Sequence, residues 1–395
     1  MPRPLFEDEH EMFRDTVRSF MKNEIAPHSD RWHEAGIVDR EAFAKAGELG
    51  LLLMWADEQY GGAGVRDFRY EQILIEENQW YGDPGFFMTL HNRLVGPYLG
   101  ELGNDEQKAR WLPKCISGEY ILAVAMSEPG AGSDVAGIRT RAEDAGDHYL
   151  LNGSKTYISN GINADLVVVA AKTDPNSSHG LSLFVVERGM DGFERGRNLK
   201  KMGLKSQDTA ELFFNNVKVP KENLLGEFNR GFYHLMHFLA EERLLGAVQY
   251  LAAADAALAT TMEYVTERKA FGQRVADFQN TRFKLADMRT EIDVAQAFVD
   301  QCVQEHNAGR LSADTAAKAK LFCSELEGRV MDECVQLHGG AGYMDEYPIC
   351  RMFLNARVSR IYAGSSEIMR EIIARSMGLD PRKKSADKPK AADAA

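Results

Sequence analysis

The segment FLAEERLLGAV, residues 238–248, places two adjacent carboxylates inside an apolar run. On a helix, Glu242 would follow Leu235 and Leu239 along one packed stripe. Glutamate is rarely buried unless it is paired. Burial among apolar side chains raises the pKa of a carboxyl group and makes it a better proton acceptor at neutral pH. The segment alone does not say why a carboxylate stands in this stripe, and an ordinary ion pair with Arg243 is one explanation.

The densest cluster of turn-forming residues is AMSEPGAGSD, residues 125–134. Gly130 and Gly132 allow sharp backbone turns that expose N–H groups, and Ser127 and Ser133 add hydroxyls. Such a loop can wrap a flat polar heterocycle or an anion. It lacks the GK[ST] ending of a P-loop. Taken alone, the motif is better explained by a plain surface turn.

Two further segments carry groups suited to binding. QLHGGAGY, residues 336–343, closes a long predicted helix, where the glycines could be only a helix stop and His338 only a structural hydrogen-bonding group. In ERKAFGQ, residues 267–273, Arg268 could clamp a phosphate, or it could form an exposed basic helix end. Both interpretations stay open for each motif.

The composition is that of a globular protein without a nucleic-acid partner. Of 395 residues, 44% are hydrophobic and 27% are charged, which predicts two or three domains. The net charge of −12 argues against a nucleic acid or an anionic membrane surface as the main partner. The N-terminus is acidic and no run approaches the ~20 apolar residues of a membrane span. We therefore expect a cytoplasmic protein without a membrane span.

The cysteines and histidines predict neither a disulfide framework nor a metal site. The five cysteines are widely spaced, odd in number and without a CxxC pair, which favours reduced thiols. His234 and His237 share a helix face, but no third ligand accompanies them, so we predict no metal.

The pattern of apolar and turn-forming residues changes twice along the chain, which predicts three domains followed by a tail. Residues 1–120 show helical periodicity, as in EMFRDTVRSFMKNEIAP, where Met12 is among the apolar positions assigned to the buried face. Residues 121–230 contain short β-rich runs between turn residues, which predicts a middle β domain. Within it, HYLLNGSKTYIS suggests a hairpin that turns at Asn152 and Gly153.

Helical patterns return after residue 230. Candidate helices span about 231–267, 277–308, 312–338 and 350–377, and Ser312 and Asp314 are plausible caps. Residues 231–378 are therefore predicted to form a C-terminal four-helix bundle, and residues 379–395 a disordered charged tail. The fold class is α+β multidomain, with an all-α N-terminal domain, a middle β-barrel or sandwich domain and a helical bundle.

Taken together, these motifs are far more specific than any one of them. The chain resembles an acyl-CoA dehydrogenase over about residues 5–378, and the long-chain type most of all. The resemblance is carried, in the family's order, by AMSEPGAGSD, NGSKTYISNG, GLKSQDTAELFF, ERKAFGQ, QLHGGAGYMDEYPI and IYAGSSEIMREIIAR.

The resemblance implies a site for FAD. One wall of the flavin site would comprise Val124, Met126, Ser127, Gly132 and Ser133. The segment on the other side of the ring would comprise Tyr157, Ile158 and Ser159. The pyrophosphate and adenosine would be held by Arg268, Phe271 and Gln279. The same FAD would be gripped from a neighbouring subunit by Gln336, Leu337, His338, Gly339 and Gly340, which implies a homotetramer built as a dimer of dimers. Further flavin contacts would come from Ser365 and Glu367.

The resemblance also locates the base. Many family members carry the catalytic glutamate after the dipeptide IY, where this chain has Ala363. Long-chain and isovaleryl-type members instead carry it on the bundle helix before RL, which corresponds here to Glu242 in EERLL. Glu242 is therefore the expected base and Glu241 its solvated or salt-bridged neighbour. The implied contacts to acyl-CoA are Ser133, Arg243, Ala363 and Gly364, with the backbone N–H of Ala363 donating to the enolate oxygen.

The implied reaction is α,β-dehydrogenation of a fatty acyl-CoA to trans-2-enoyl-CoA. Glu242 would take the α-proton, the β-hydride would pass to flavin N5, and electrons would leave by electron-transferring flavoprotein. Two alternatives stay open. The first is an acyl-CoA oxidase-type flavoprotein, although such oxidases are usually longer. The second is a non-catalytic flavin-binding protein or a silent subunit of a hetero-oligomer, which the acidic balance and the full set of FAD-contact positions disfavour.

Overall fold

The N-terminal region is helical, as predicted. The computed structural model describes residues 3–380, so the predicted disordered tail lies outside the described residues from position 381 onward. The helices of this region are α1 (Asp8–Phe20), α2 (Ser29–Ala35), α3 (Arg40–Glu48), α4 (Phe68–Tyr81), α5 (Gly96–Leu102) and α6 (Asp105–Ile116). A wide π-helical turn at Met21–Ile25 continues α1, and a second one at Leu90–Val95 leads into α5.

The buried face of α1 was predicted correctly except at one position. Val17 and Phe20 are buried and Phe13 packs against the same core, whereas Met12 is 73% exposed. Met12 lies five residues before Val17, which turns it roughly 140° around the helix and away from the buried stripe. The prediction for Met12 was therefore wrong.

The middle region is an eight-stranded mixed sheet. Its strands are β1 (Leu122–Ala125), β2 (Arg141–Asp144), β3 (His148–Ser159), β4 (Leu166–Lys172), β5 (Leu181–Glu187), β6 (Phe193–Asn198), β7 (Thr209–Pro220) and β8 (Leu224–Leu225). The order is β6-β7-β3-β2-β4-β5-β8, and β1 runs parallel to β4. The β-rich runs predicted from sequence correspond to β3, β4, β5 and β7. The charged strands β2 and β6 lack an apolar alternation that would have revealed them.

The predicted hairpin at Asn152 and Gly153 was wrong. β3 runs unbroken through both residues and pairs with β7 on either side of them, with a register shift between Leu151 and Gly153. The Asn-Gly pair therefore marks a bulge, in which glycine accommodates a φ of +146°. A Cβ at this position would lie 2.5 Å from Oγ1 of Thr140, so glycine is also required by the close approach of the chain.

The C-terminal region is a helical bundle with one fewer long helix than predicted. It contains α7 (Gly231–Glu267), a short hairpin of β9 (Lys269–Ala270) and β10 (Gln273–Arg274), α8 (Gln279–Asn307), α9 (Ala313–His338), α10 (Pro348–Ala356) and α11 (Ser366–Ser376). The predicted cap at Ser312 is confirmed, because its side chain accepts a hydrogen bond from Thr315 N.

The helix predicted over 350–377 is broken in two. After α10 comes a 3₁₀ turn at Arg357–Arg360, and then Ala363 and Gly364 adopt φ values of +51° and +86°. A right-handed helix cannot contain such residues, and Ser365 caps a new helix by accepting a hydrogen bond from Ile368 N. The break places a loop between α10 and α11.

Helix α7 is the central element of the bundle, and it packs against α4, α8, α9 and α10. By length and composition alone it could cross a membrane, but 72% of its most apolar window is buried inside the protein. Its apolar character is therefore that of a core helix, and it carries the Glu241–Glu242–Arg243 segment into the interior.

Candidate active site

Glu242 is a buried carboxyl group, and among the described residues one side chain forms a hydrogen bond with it. It is 5% exposed, and the hydroxyl of Tyr98 on α5 donates to its Oε1 at 3.2 Å. Burial raises the pKa of Glu242 to about 7, and the Tyr98 hydrogen bond and the charge of Arg243 oppose that shift. Burial also raises the pKa of Tyr98 well above its ordinary value, so the phenol stays protonated and donates. Glu242 can therefore exchange a proton near neutral pH.

Glu241 lies in a different environment although it is adjacent in sequence. Its two oxygens lie 3.4 Å from Nη1 of Arg93 and 3.4 Å from Nε2 of His306. Burial raises the pKa of Glu241, and Arg93 opposes the shift. The expectation that Glu241 is a salt-bridged neighbour is confirmed.

Arg243 is buried and forms no ion pair within the part of the chain that the structure describes. It is 5% exposed, its Nε has no hydrogen-bond partner, and within residues 3–380 no ion pair joins it to Glu241 or Glu242. The alternative of an ordinary ion pair with Arg243 is therefore wrong. Burial lowers the pKa of Arg243, and a buried guanidinium with an unused donor is suited to an oxygen-bearing ligand.

The loop between α10 and α11 carries the other predicted substrate contacts. Ala363 and Gly364 are half-buried, and both have a positive φ. From α9, Nζ of Lys320 donates hydrogen bonds to the carbonyl oxygens of Ser359 and Gly364. Ser365 caps α11.

Glu367, the last of the predicted contacts after this loop, is exposed in the first turn of α11.

The two segments predicted to flank the flavin ring lie side by side. Thr156 N donates to the carbonyl oxygen of Ser127 at 2.9 Å, which joins β3 to the glycine-rich loop. In and after β1, Val124, Met126 and Ser127 are half-buried, and Gly132 and Ser133 in the glycine-rich loop are exposed. On β3, Tyr157 is 73% exposed with a φ of +59°, while Ile158 is buried and Ser159 half-buried.

The remaining predicted cofactor residues form a second group at the ends of α7 and α9. Tyr264, one turn before Arg268, donates to the carbonyl oxygen of His338 at 3.2 Å and stacks on its ring. The exposed members of this group are Arg268, Phe271, Gln279, Gln336, Gly339 and Gly340, and Leu337 is half-buried. His338 is buried, and its Nδ1 bonds the carbonyl oxygen of Cys334 at 2.8 Å. Within the described chain, no hydrogen bond or ion pair joins this group to the flavin-flanking segments.

Profiles of one protein family match three successive segments of the chain. Those described as the N-terminal, middle and C-terminal domains of acyl-CoA dehydrogenase match residues 7–119, 123–217 and 229–378. The chain belongs to the acyl-CoA dehydrogenase family. This membership confirms the predicted resemblance, the three-part fold class and an oxidoreductase activity.

Individual relatives extend over almost the whole acyl-CoA dehydrogenase chain. The mitochondrial long-chain specific acyl-CoA dehydrogenase of Mus musculus is 47% identical over 381 residues, which cover 96% of this chain and 88% of the relative. A crystal structure of acyl-CoA dehydrogenase from Geobacillus kaustophilus is 49% identical, with a TM-score of 0.94 over 96% of this chain and 100% of its own. A Bacillus anthracis acyl-CoA dehydrogenase complexed with FAD is 33% identical, with a TM-score of 0.88 over 97% of this chain and 68% of its own.

The surfaces offered by this acyl-CoA dehydrogenase fit a large planar cofactor. A Cβ built on Gly132, Gly339 or Gly340 would meet no atom within 4 Å, so each of these backbones is open to a ligand. Phe271 is 95% exposed with a φ of +52°, at the tip of the β9–β10 hairpin. Open backbone, exposed rings and a basic side chain at Arg268 match the heterocycles and diphosphate of FAD.

Sequence reasoning missed an ion pair that holds the glycine-rich loop. Glu128 accepts from Nζ of Lys155 at 2.8 Å and from the backbone N–H groups of Arg139 and Thr140. Lys155 is fully buried and also donates to the carbonyl oxygen of Met126 at 3.0 Å. The signal was present in NGSKTYIS, where a lysine occupies a core-facing position of a strand. Tyr98 and Lys320 were also missed, because nothing local distinguishes them.

Proposed function

We propose that this chain is an FAD-dependent acyl-CoA dehydrogenase that converts a fatty acyl-CoA to the trans-2-enoyl-CoA, with Glu242 as the base. The observation that carries the proposal is a buried carboxyl group of near-neutral pKa on α7, in a family member that has Ala363 where many members have glutamate. FAD, when bound, supplies the acceptor for the β-hydride.

The protein's own part in the reaction begins with proton transfer. An ionised Glu242 removes the α-proton of the thioester, and Tyr98 fixes the carboxylate through its hydrogen bond. The N–H of Ala363 donates to the thioester oxygen as negative charge develops there. A backbone donor is retained whatever the side chain, so alanine is tolerated at this position. The apolar residues around Glu242 exclude water and keep its pKa raised.

Several finer assignments belong to the same proposal. Flavin contacts are assigned to residues 124–133 and 157–159, and the adenosine diphosphate part to Arg268, Phe271 and Gln279. Residues 336–340 would complete the FAD site of a neighbouring subunit in a homotetramer. Ser133 and Arg243 would contact acyl-CoA. The similarity to a long-chain relative supports a preference for longer straight acyl chains.

The electron acceptor and the cellular location of the protein are also part of the proposal. Electron-transferring flavoprotein would accept the electrons, as the family resemblance implies. The five unpaired cysteines support a cytoplasmic location.

Anaerobic titration with acyl-CoAs of graded chain length tests the proposal. We expect the wild-type flavin to bleach, and Glu242→Gln to bind acyl-CoA while its flavin reduction slows on the order of 10²- to 10⁴-fold, the usual contribution of a general base. Glu241→Gln is the matched control and should remain active. Rapid bleaching of the Glu242→Gln protein would rule out this residue as the base.

A further inference from the structure

Lys320 is a buried cation that forms no ion pair with any residue in the range 3–380. It lies on α9, it is 0% exposed, and within the described residues no carboxylate lies within ion-pair distance of it. Its Nζ donates two hydrogen bonds, each of 2.7 Å, to the carbonyl oxygens of Ser359 and Gly364. Burial lowers the pKa of Lys320 to about 8, and nearby carboxylates on α9 oppose the shift. A buried lysine of this kind is costly and is therefore expected to have a specific task.

The two acceptors of Lys320 bracket the loop of the proposed oxyanion donor. Ser359 and Gly364 are five residues apart, and Ala363 lies between them with a φ of +51°. Alanine disfavours this left-handed conformation, so the surrounding structure has to hold it. One lysine that binds the carbonyl groups at both ends of the segment fixes its span and the direction of the intervening peptides.

Other α9 side chains contact the side chains at the ends of the loop. Glu327 accepts a hydrogen bond from the hydroxyl of Ser359. Glu325 accepts one from the hydroxyl of Ser366, at 2.8 Å, and lies 3.6 Å from Nη1 of Arg360. Among these three side chains, Lys320 is the one that binds backbone carbonyl groups at both ends of the loop.

We infer that Lys320 is a positioning residue that holds the loop 359–364 so that the N–H of Ala363 meets the thioester oxygen of the substrate. The inference rests on the proposed function. It assigns to α9 the task of holding this loop in place. Ala363 cannot do this alone, because the side chain of Ala363 is a methyl group and its backbone conformation is strained.

The test compares Lys320→Met with Lys318→Met in the FAD-loaded protein. Lys318 lies on the same helix and pairs with Asp314 at 2.8 Å, away from the loop. The two readouts are flavin reduction, followed both in single turnover and in the steady state for kcat and KM, and the affinity for a non-oxidisable acyl-CoA analogue whose acidic α-proton allows it to bind as the enolate.

We expect Lys320→Met to slow flavin reduction and to weaken binding of the enolate analogue, each by roughly tenfold or more, the scale of a misplaced oxyanion donor. KM for acyl-CoA and binding of a simple saturated ligand should change little. Lys318→Met should match the wild type in both readouts. A purely structural defect would instead weaken all ligands alike.

The outcomes separate this inference from the proposed function. If the wild type is not reduced by any acyl-CoA, the proposed function fails and the inference falls with it. If the wild type is reduced but Lys320→Met keeps both its rate and its affinity for the analogue, the inference alone is overturned. Should Lys320→Met not fold, Lys320→Gln retains N–H donors on a shorter chain and should show a smaller loss in the same two readouts. Failure of both variants to fold would assign Lys320 to the core and also overturn the inference.

Discussion

The charge of Glu242 depends in part on one phenol. Tyr98 donates to the carboxylate and so stabilises its ionised form, as the charge of Arg243 also does, against the burial that raises its pKa to about 7. In the proposed mechanism, Glu242 has to be ionised to accept a proton. Tyr98 would therefore increase the fraction of the enzyme that is competent at a given pH.

Replacement of Tyr98 by phenylalanine should raise the pKa of Glu242. The variant loses a hydrogen bond to a charged group, so the acidic limb of the rate profile for flavin reduction should move to higher pH by roughly one unit. Stopped-flow reduction by acyl-CoA across a pH series measures this shift. Tyr120→Phe is the control, because its hydroxyl contacts only Lys114 among the described side chains. An unchanged profile in Tyr98→Phe would show that this contact does not tune the base.

At the scale of the element, α4 carries buried carboxylates of two kinds. Glu76 and Glu77 are paired with arginines, as in the 2.8 Å contact of Glu76 with Arg14. Glu71 is 2% exposed, has no ion pair within the described chain, and accepts only a long hydrogen bond of 3.4 Å from Asn92. Burial raises the pKa of Glu71 to about 8, with Arg93 opposing the shift. The unpaired carboxyl group is a source of pH-dependent stability in this helix.

Glu71→Gln should make the protein less sensitive to rising pH. The pKa of Glu71 is higher in the folded than in the unfolded chain, so the folded state binds more protons between about pH 4.5 and pH 8. The wild type therefore loses up to about 1.4 kcal/mol of stability per pH unit across that window, and the variant does not. Thermal unfolding at several pH values measures the difference, which should grow in favour of the variant as the pH rises. The exposed Glu48→Gln should follow the wild type, and a parallel course for Glu71→Gln would contradict the prediction.

The bulge in β3 allows a test of backbone geometry. Gly153→Ala would both strain a φ of +146° and place a Cβ 2.5 to 2.8 Å from Thr140, so we expect a loss of about 1–3 kcal/mol. Gly189 has a φ of +90° and open space around its Cβ position, so Gly189→Ala should cost less. Thermal unfolding of the two variants compares them, and equal losses would show that Thr140 yields to the added methyl group.

The same elements show what the sequence can predict. Periodicity located α7, α8 and α9 to within two residues, because long apolar stripes are strong local signals. The same reasoning merged α10 and α11, since the break depends on positive φ angles at Ala363 and Gly364 that the residue types do not announce. It also read Asn152-Gly153 as a turn, because a turn and a bulge share that signal.

The candidate site shows the same contrast between residues with a local sequence signal and residues without one. Glu242 could be found from a carboxylate in an apolar stripe together with the family's alternative position for the base. Tyr98, Arg93 and Lys320 lie on three separate elements. They are 144, 149 and 78 positions away from Glu242 in the sequence, respectively. Their roles depend on tertiary packing, which no local pattern in one sequence encodes.

At the scale of the whole molecule, one chain leaves large apolar surfaces uncovered. Phe271 is 95% exposed, Tyr343 81% and Tyr157 73%, and all three lie in or beside predicted cofactor segments. Exposed apolar groups of this size indicate surfaces that bind a partner or a ligand. They support the proposal that a second copy of the chain and FAD cover them together.

If residues 336–340 of one subunit complete the FAD site of another, FAD affinity should depend on protein concentration. Dilution would dissociate subunits and remove part of each site, so bound FAD should be released as the assembly falls apart. Fluorescence of released FAD, recorded over a roughly thousand-fold dilution alongside mass measurements of the assembly, tests this coupling. Gln336→Ala should release FAD at higher protein concentration than the wild type, whereas the exposed Glu48→Ala should not. Retention of FAD by dissociated single chains would show that each site is complete within one subunit.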